Sequence, residues 1–351
     1  MEKFKYILCG RERVDDLLSF INTFWQKDHI LIKDRTLFDW QYKNTKTGNY
    51  NFVLAVSENK NEILGILGFI PSYLFSQQLE VYKEAWLSVW KTKDNTSYAG
   101  LGVGMIIFLK KTLGLNNILN LGLGDQVIEI FKLLKYNLGI LEHNVLINVD
   151  QKKFFILGDY DPSKILSNES IFNNDYELLE LTEKSLVSVL NENKKFVFTT
   201  NPIKDVNYII NRYFKHPTYT YRVFSVNKKD KICLAIIVIR KVIANNSSAL
   251  RIVDYQGDYI PFSYLNFSFR NFLKKENHEY IDFLQFGIPK KIIKRAGFIS
   301  VKDNNLFIPN HFEPFEKKKF TINFAYKSDS KNKTFFFFKA DGDHDRPNLV
   351  L

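Results

Sequence analysis

Apolar and polar positions fall into two similar blocks along the 351-residue chain. In the first block, Val14-Asp15-Asp16-Leu17-Leu18-Ser19-Phe20-Ile21 spaces its apolar residues near 3.6, which predicts a helix. The short stretch Phe38 to Tyr42 follows. Phe52 to Val56 and Ile63 to Ile70 are apolar runs joined by the polar turn Ser57 to Glu62, the pattern of a β-hairpin. Ala85 to Trp90 predicts a third strand. A polar loop then leads to Gly100-Leu101-Gly102-Val103-Gly104, and these glycines run into a helix at Met105 to Leu109. Ile118 to Leu123 predicts a fourth strand, with Asp125 as N-cap of a helix from Gln126 to Leu134.

The second block repeats this order. Glu183 to Leu190 predicts a helix, and Tyr208 to Phe214 stands where Phe38 to Tyr42 stood. A hairpin follows, Tyr221 to Val226 and Ile232 to Ile239, joined by Asn227 to Lys231. Leu250 to Tyr255 predicts a strand, Leu265 to Leu273 a helix, and Ile281 to Gln285 a further strand. Pro289 opens a helix that runs towards Gly297-Phe298. Between the blocks lie the polar Asp159 to Lys164 and the Ser/Asn-rich Ser167 to Asn174, which mark a boundary. The expected organisation is therefore a domain at 1–165, a second at 175–330, and a C-terminal strand and Asp-rich tail at 331–351. The class is α/β (α+β), with two tandem mixed, mostly antiparallel sheets flanked by helices.

Composition narrows the class further. Hydrophobic residues are 45% and charged residues 25%, which excludes a mainly disordered chain, a collagen or a coiled coil. The net charge of +11 favours anionic partners, but it is spread along the chain. The densest runs, Lys290-Lys291 with Lys294-Arg295 and Lys317-Lys318-Lys319, read as solvated faces. Cys9 and Cys233 lie far apart in no zinc or redox spacing, which suggests a reducing compartment. No signal-peptide core is present, and the longest apolar run, Ile232 to Ile239, is far short of the ~20 residues of a spanning helix. A cytoplasmic protein with no membrane span is expected.

A strand, a Gly-x-Gly-x-Gly loop and a helix together make an anion site, because glycines admit the backbone closely and helix N-terminal N–H groups point outwards. The spacing is wrong for a Rossmann loop, and no Gly-Lys-Ser/Thr ending of a Walker loop is present. The order helix, hairpin, strand, glycine loop, helix, strand, helix resembles the GCN5-related N-acetyltransferase fold. In that family the loop reads Arg/Gln-x-x-Gly-x-Gly/Ala and wraps the pyrophosphate of acyl-coenzyme A; here Ala99 replaces the basic or amide residue, with Lys110 or Lys111 as candidate substitutes. The resemblance implies acyl-coenzyme A contacts at Val89, Trp90, Gly100, Leu101, Gly102, Val103, Gly104 and Met105, and acetyl-CoA or another acyl-CoA as co-substrate. The second block carries Pro261-Phe262-Ser263 where glycines would stand, so coenzyme binding falls to the first block and acceptor binding to the second. The tandem arrangement and the ending Asp341-Gly342-Asp343-His344-Asp345-Arg346-Pro347 are similar to N-acyltransferases acting on nucleotide-linked amino sugars.

The implied chemistry is amide formation by direct attack in a ternary complex, since no cysteine or serine sits in a nucleophile motif. The fold's third strand, Ala85 to Trp90, would supply an N–H to the thioester oxygen. Asp94 is the first candidate for the general base, with His311 and His344 as alternatives; a solvated loop carboxylate is the plainer reading of Asp94. Trp86, Tyr98, Asp254, Asp345 and Arg346 are candidate acceptor contacts, against ordinary strand packing for the aromatics. The Asp341 to Asp345 cluster has oxygen ligands suited to a divalent cation, but the reaction needs no metal, and a sugar-binding or structural role with Asp345 paired to Arg346 is preferred. His29 and His278 read as exposed, His143 as near a strand edge and His216 as a turn residue. Expected partners are small molecules, with no nucleic acid. Rival readings are a tRNA-dependent aminoacyltransferase of the peptidoglycan-bridge type, which a basic stripe across both blocks would favour, and a non-catalytic ligand-binding protein of the same fold.

Overall fold

The computed structural model describes residues 3–94, 100–157, 175–192, 196, 198, 200–229, 232–304, 306–316, 318, 320–330 and 333–348. Tyr98, Ala99 and the expected boundary segment 159–174 lie outside the described residues.

Two compact units form. The first comprises Met1–Gly139, Asn323–Asn332 and Gly342–Leu351; the second comprises Ile140–Ile322 and Lys333–Asp341. In the first unit, β1 (Phe4–Cys9), β2 (Tyr50–Ser57), β3 (Ile63–Pro71), β4 (Glu84–Thr92), β5 (Asn117–Leu121), β16 (Asn323–Ser328) and β6 (Asn137–Ile140) make one sheet in the order β1-β2-β3-β4-β5-β16-β6. β4 and β5 are parallel, whereas β1 to β4 and the β5–β16 pair are antiparallel.

β2 and β3 are buried along their whole lengths, so both sheet faces are covered, which is why their sequences read as continuous apolar runs. Val53 and Ala55 face Leu101, Met105 and Leu109 of α4 (Leu101–Leu113). Phe52, one residue out of phase, points to the other face and meets Phe38 and Tyr42 of α3 (Arg35–Tyr42). On the same unit lie α1 (Val14–Phe20), the single turn α2 (Ile30–Lys33) and α5 (Asp125–Leu133). Gly124, rather than Asp125, is the N-cap of α5.

The second unit repeats the plan in the order β8-β9-β10-β11-β12-β7-β13. Its strands are β8 (Tyr176–Leu181), β9 (Tyr221–Lys228), β10 (Cys233–Ala244), β11 (Ser247–Gly257), β12 (Tyr280–Phe286), β7 (Glu142–Ile147) and β13 (Ile299–Ser300). β11 and β12 form its parallel pair. The helices are α6 (Glu183–Glu192), α7 (Val206–Ile209), α8 (Asn266–Glu276) and α9 (Lys290–Arg295), and a small hairpin joins β14 (His311–Phe312) to β15 (Phe315–Glu316). Phe262, Phe269, Leu273, Ile293 and Phe298 bury against Ile237, Ile252 and Phe283. Phe262 is fully buried, so the bulky segment that replaces the glycines serves as core.

The units are not sequential stretches of chain. β7 follows the first block yet lies between β12 and β13, paired Tyr280↔Ile147 to Gln285↔Glu142. β16 follows the second block yet pairs with β5, Phe324↔Leu121 to Ser328↔Asn117. The strand-completing positions are thus exchanged, where the sequence suggests a single cut between 165 and 175. Among the described residues no helix is long and apolar enough to cross a membrane.

Candidate functional site

In the first unit the parallel pairing of β4 with β5 runs from Glu84↔Asn117 to Leu87↔Asn120 and stops there. On its other side β4 shifts register against β3, with Leu67 opposite Trp90 and Phe69 opposite Leu87. One extra residue at Ser88–Val89 therefore stands across from Gly68, a β-bulge that leaves backbone outside the ladder. Gly68 is required by this geometry, since a Cβ there would sit 2.5 Å from Ser88 Oγ and 2.9 Å from Phe52 Cε1. Tyr42 Oη donates to Ser88 Oγ at 3.0 Å. Full burial, reinforced by the Asp343 carboxylate, holds the Tyr42 phenol protonated well above its ordinary range.

The glycine loop enters α4 from the same strand. Gly100 is the N-cap in the left-handed region (φ +79°), and among the described residues no side chain caps the helix. The Gly104 N–H donates to Gly100 O at 2.9 Å, so the amides of Leu101, Gly102 and Val103 have no acceptor within the helix. Among the described residues, none beyond its chain neighbours lies within 4 Å of where a Cβ on Gly100 would sit. The other two glycines have a different cause. A Cβ on Gly102 would approach Trp90 Cζ2 to 2.9 Å, and one on Gly104 would overlap the Tyr6 hydroxyl. They let α4 settle on β4 and β1, and Tyr6 Oη donates to Leu101 O at 3.2 Å. Leu101 and Met105 direct their side chains into the core.

The C-terminal segment returns to this unit. Gly342 lies on the Trp86 indole, a Cβ there being 3.5 Å from Trp86 Cε3, and a Cβ on Gly122 would be 2.8 Å from His344 Nδ1. Gly122 immediately follows β5 and holds φ +81°, which lets the imidazole approach where β4 and β5 part. Arg346 pairs with Asp343 at 3.6 Å, and Asp345 is buried. His29 is 2% exposed and caps α2 by accepting from Leu31 N–H at 3.2 Å. Burial, and then the positive charge of Arg346, depress it to about 3, so it is a neutral imidazole rather than the exposed histidine expected.

The remaining sequence candidates are placed as follows. Asp94 is exposed and pairs with Lys91 at 2.7 Å; six residues at ~3.3 Å each separate it from the bulge at Ser88, about 20 Å along an extended chain. Lys110 and Lys111 occupy the last turn of α4, about 14 Å of helix rise from its first residue, and Lys110 pairs with Asp329 at 2.8 Å. Neither replaces the cation missing at the loop. Val89 is buried in the bulge and Trp90 is half-buried, edge-on to Phe131. His311 lies in the second unit, edge-on to Phe320, and is lowered to about 4 by burial and then by Lys339. His278 is buried in the second unit too, against Ser248 and Glu276.

Asp254 departs furthest from its expected role. It is fully buried in the second unit and accepts from Lys204 Nζ at 2.7 Å, from the Tyr213 hydroxyl and from its neighbour Tyr255 N–H at 2.8 Å. Lys204 also pairs with Asp341 at 2.7 Å. This cluster fastens β17 (Phe337–Phe338), which pairs antiparallel with β12 at Gln285↔Phe338 and Phe286↔Phe337. Parallel pairing of β11 with β12 stops at Ile252↔Phe283, and beyond it Ala340 N–H donates to Val253 O at 3.0 Å. The place in the second unit that matches the parting of β4 and β5 in the first is filled by β17 and the residues after it.

Among the described residues no group of His, Cys, Asp and Glu side chains could hold a metal ion. Cys9 and Cys233 are buried thiols pushed up to about 12, chiefly by burial, so neither is available as a nucleophile. Sequence reasoning missed Tyr42, Ser88, Gly68, Gly122 and His29. Only the glycines carried a signal, as small residues inside or just after apolar strands.

No family model matches the chain, and no curated protein matches its sequence. Solved structures do match. A GCN5-related N-acetyltransferase from Anabaena variabilis is 13% identical, with a TM-score of 0.52 over 93% of this chain and 73% of that one. A protein from Pyrococcus horikoshii described as a candidate acetyltransferase is 10% identical, with a TM-score of 0.50 over 96% and 94%. The tandem mixed sheets flanked by helices are therefore the GCN5-related acetyltransferase fold, present twice in one chain.

Proposed function

We propose that the chain is an acyl-coenzyme A-dependent N-acyltransferase whose first unit holds the acyl donor. The carrying observation is that, in one unit, a β4 bulge, a parted β4/β5 pair and an α4 N-terminus whose first amides have no acceptor within the helix follow one another along the chain. The three α4 amides, at the positive end of the helix dipole, suit a pyrophosphate. A backbone N–H freed at Ser88–Val89 suits a thioester oxygen that gains charge during attack.

Attack of a neutral amine on the thioester carbonyl forms the C–N bond and breaks the C–S bond. The amine proton must leave, and the departing sulfur must be protonated. His344, at the parting of β4 and β5, is the side chain we assign to accept the amine proton; Asp94 is exposed six residues beyond the bulge, and His311 belongs to the second unit. Trp86, packed under Gly342, shapes the site rather than stacking on a ligand. The acceptor we favour is a nucleotide-linked amino sugar, on the strength of the basic net charge and the Asp/Arg tail. A coenzyme site in the first unit alone is supported by the Phe262 core and the β17 closure of the second.

The test is mass spectrometry of products after incubation with acetyl-coenzyme A and a panel of nucleotide amino sugars and free amines. An acylated amino sugar is the expected product. Acylation of free amines only would keep the reaction and remove the acceptor. Coenzyme binding without any product would favour a non-catalytic ligand-binding protein.

A further inference from the structure

We infer a second ligand site, wholly within the second unit, for a small molecule that carries phosphate on an apolar or aromatic body. A cavity of about 950 Å³ opens between β7, the end of β12, α9 and the turn after β13. That volume is in the range of small-molecule sites. Every residue lining it belongs to the second unit.

Four lysines line this cavity: Lys290, Lys291 and Lys294 from α9, and Lys302 after β13. Two carboxylates oppose them, Glu142 and Asp303. Lys290 pairs with Glu142 at 3.5 Å. Lys291, Lys294 and Lys302 make no ion pair among the described residues. Lys290 and Lys294 stand at i,i+4 and Lys291 and Lys294 at i,i+3, where like charges on a helix repel. A polyanion in the cavity relieves that repulsion, and ammonium groups on flexible stems suit phosphate as adjustable point charges.

The floor and walls are built rather than incidental. His143 lines the cavity, with Nε2 2.9 Å from Asp282 Oδ2. Asp282 is fully buried and held by Arg251 at 2.6 Å and 2.9 Å. Arg251 in turn donates to the carbonyls of Pro309 and Asn310, both at 3.1 Å. The imidazole is therefore fixed at the cavity by a fully buried pair. Phe286, half-buried, and Phe320, exposed, add aromatic surface to the walls. A cationic rim over an aromatic wall matches the two ends of a nucleoside diphosphate.

Calorimetric titration at low salt with inorganic pyrophosphate, ADP and UDP tests this inference, using the wild type and K291Q/K294Q/K302Q. All three lysines are exposed, so an unchanged ligand-free melting midpoint verifies the fold of the variant. At least one nucleoside diphosphate should bind the wild type more tightly than pyrophosphate does, and the triple variant should lose about tenfold or more in affinity. Raising the salt should weaken wild-type binding. Equal binding by the two proteins, or no binding of any probe, overturns the inference. So does a variant whose only loss is binding to phosphatidylserine vesicles, since that would make the lysines a membrane contact. The α4 amides of the first unit are the same in both proteins, so the difference between wild type and variant reads the second-unit site alone, and failure of the acyl-coenzyme A reading leaves that difference interpretable.

Discussion

Replacing Lys204 with methionine should sharply destabilise the second unit. Lys204 is 1% exposed and lies 2.7 Å from both Asp254 and Asp341, with its ammonium 5.2 Å from the centre of the Phe338 ring. Removing one partner of a buried ion pair costs about 3–5 kcal/mol, because the charge left behind is uncompensated. Here two carboxylates are left. Each keeps some support, Asp254 from the Tyr255 N–H at 2.8 Å and Asp341 from the Phe338 N–H at 2.8 Å. Burial already raises Asp341 to about 6, so mild acid lets it become neutral and reduces the loss. The expected cost is therefore about 4 kcal/mol at pH 8 and clearly less at pH 5. Urea unfolding at both pH values, followed by a probe in the second unit, measures it. K204M/D254N/D341N, which removes every charge together, should recover most of the loss. A K204M cost below about 1 kcal/mol, or a triple variant no better than the single one, would refute the reasoning.

Three further outcomes follow from the same geometry. H344Q should slow acyl transfer by about 10²–10⁴-fold with little change in acetyl-coenzyme A affinity; an unchanged rate in a steady-state assay would remove His344 as the proton acceptor. Burial works to raise Asp282, but Arg251 and then His143 outweigh it and hold the carboxyl at about 2, against an ordinary 3.8. Its stabilisation is therefore present above about pH 4 and lost as pH falls towards 2; acid unfolding should show a slope worth about 2 kcal/mol that D282N lacks, and identical slopes would contradict this. G102V places atoms against Trp90, only 2.9 Å from where its Cβ would begin; a loss of about 1–3 kcal/mol in thermal unfolding is expected, and an unchanged midpoint would count against the packing account.

Much of the fold can be read in the chain. Both hairpins, the strands that become β4, β5, β11 and β12, and the helices α4, α5, α8 and α9 follow from apolar runs and turn residues. The exchanged strands do not. Apolar patterning tells which face of a strand is buried and nothing about its neighbour, so Glu142–Ile147 and Asn323–Ser328 could not be assigned to a sheet. Phe335 to Phe338 reads as a buried strand and is one in part, yet only coordinates reveal that it closes the junction of β11 and β12. At the candidate site the glycine loop reads as an anion cradle, but it mixes two causes: Gly100 takes the left-handed turn into α4, while Gly102 and Gly104 allow packing. Asp94 looked catalytic because it is close in sequence to the loop. His344, the proposed proton acceptor, is more than 200 residues away and packs against Gly122, whose positive φ no spacing argument predicts.

The central claim is that the amides opening α4 hold the diphosphate of an acyl-coenzyme A. Proline is tolerated in the first helical turn, where its missing N–H breaks no helical bond, so V103P removes one of the three amides, with V103A as its control. A hydrogen bond to a charged group contributes about 1.5–3 kcal/mol, so calorimetry should find acetyl-coenzyme A bound about 10–150-fold more weakly by V103P than by V103A. Equal affinity in the two variants, or no binding of any acyl-coenzyme A by the wild type, would contradict the account.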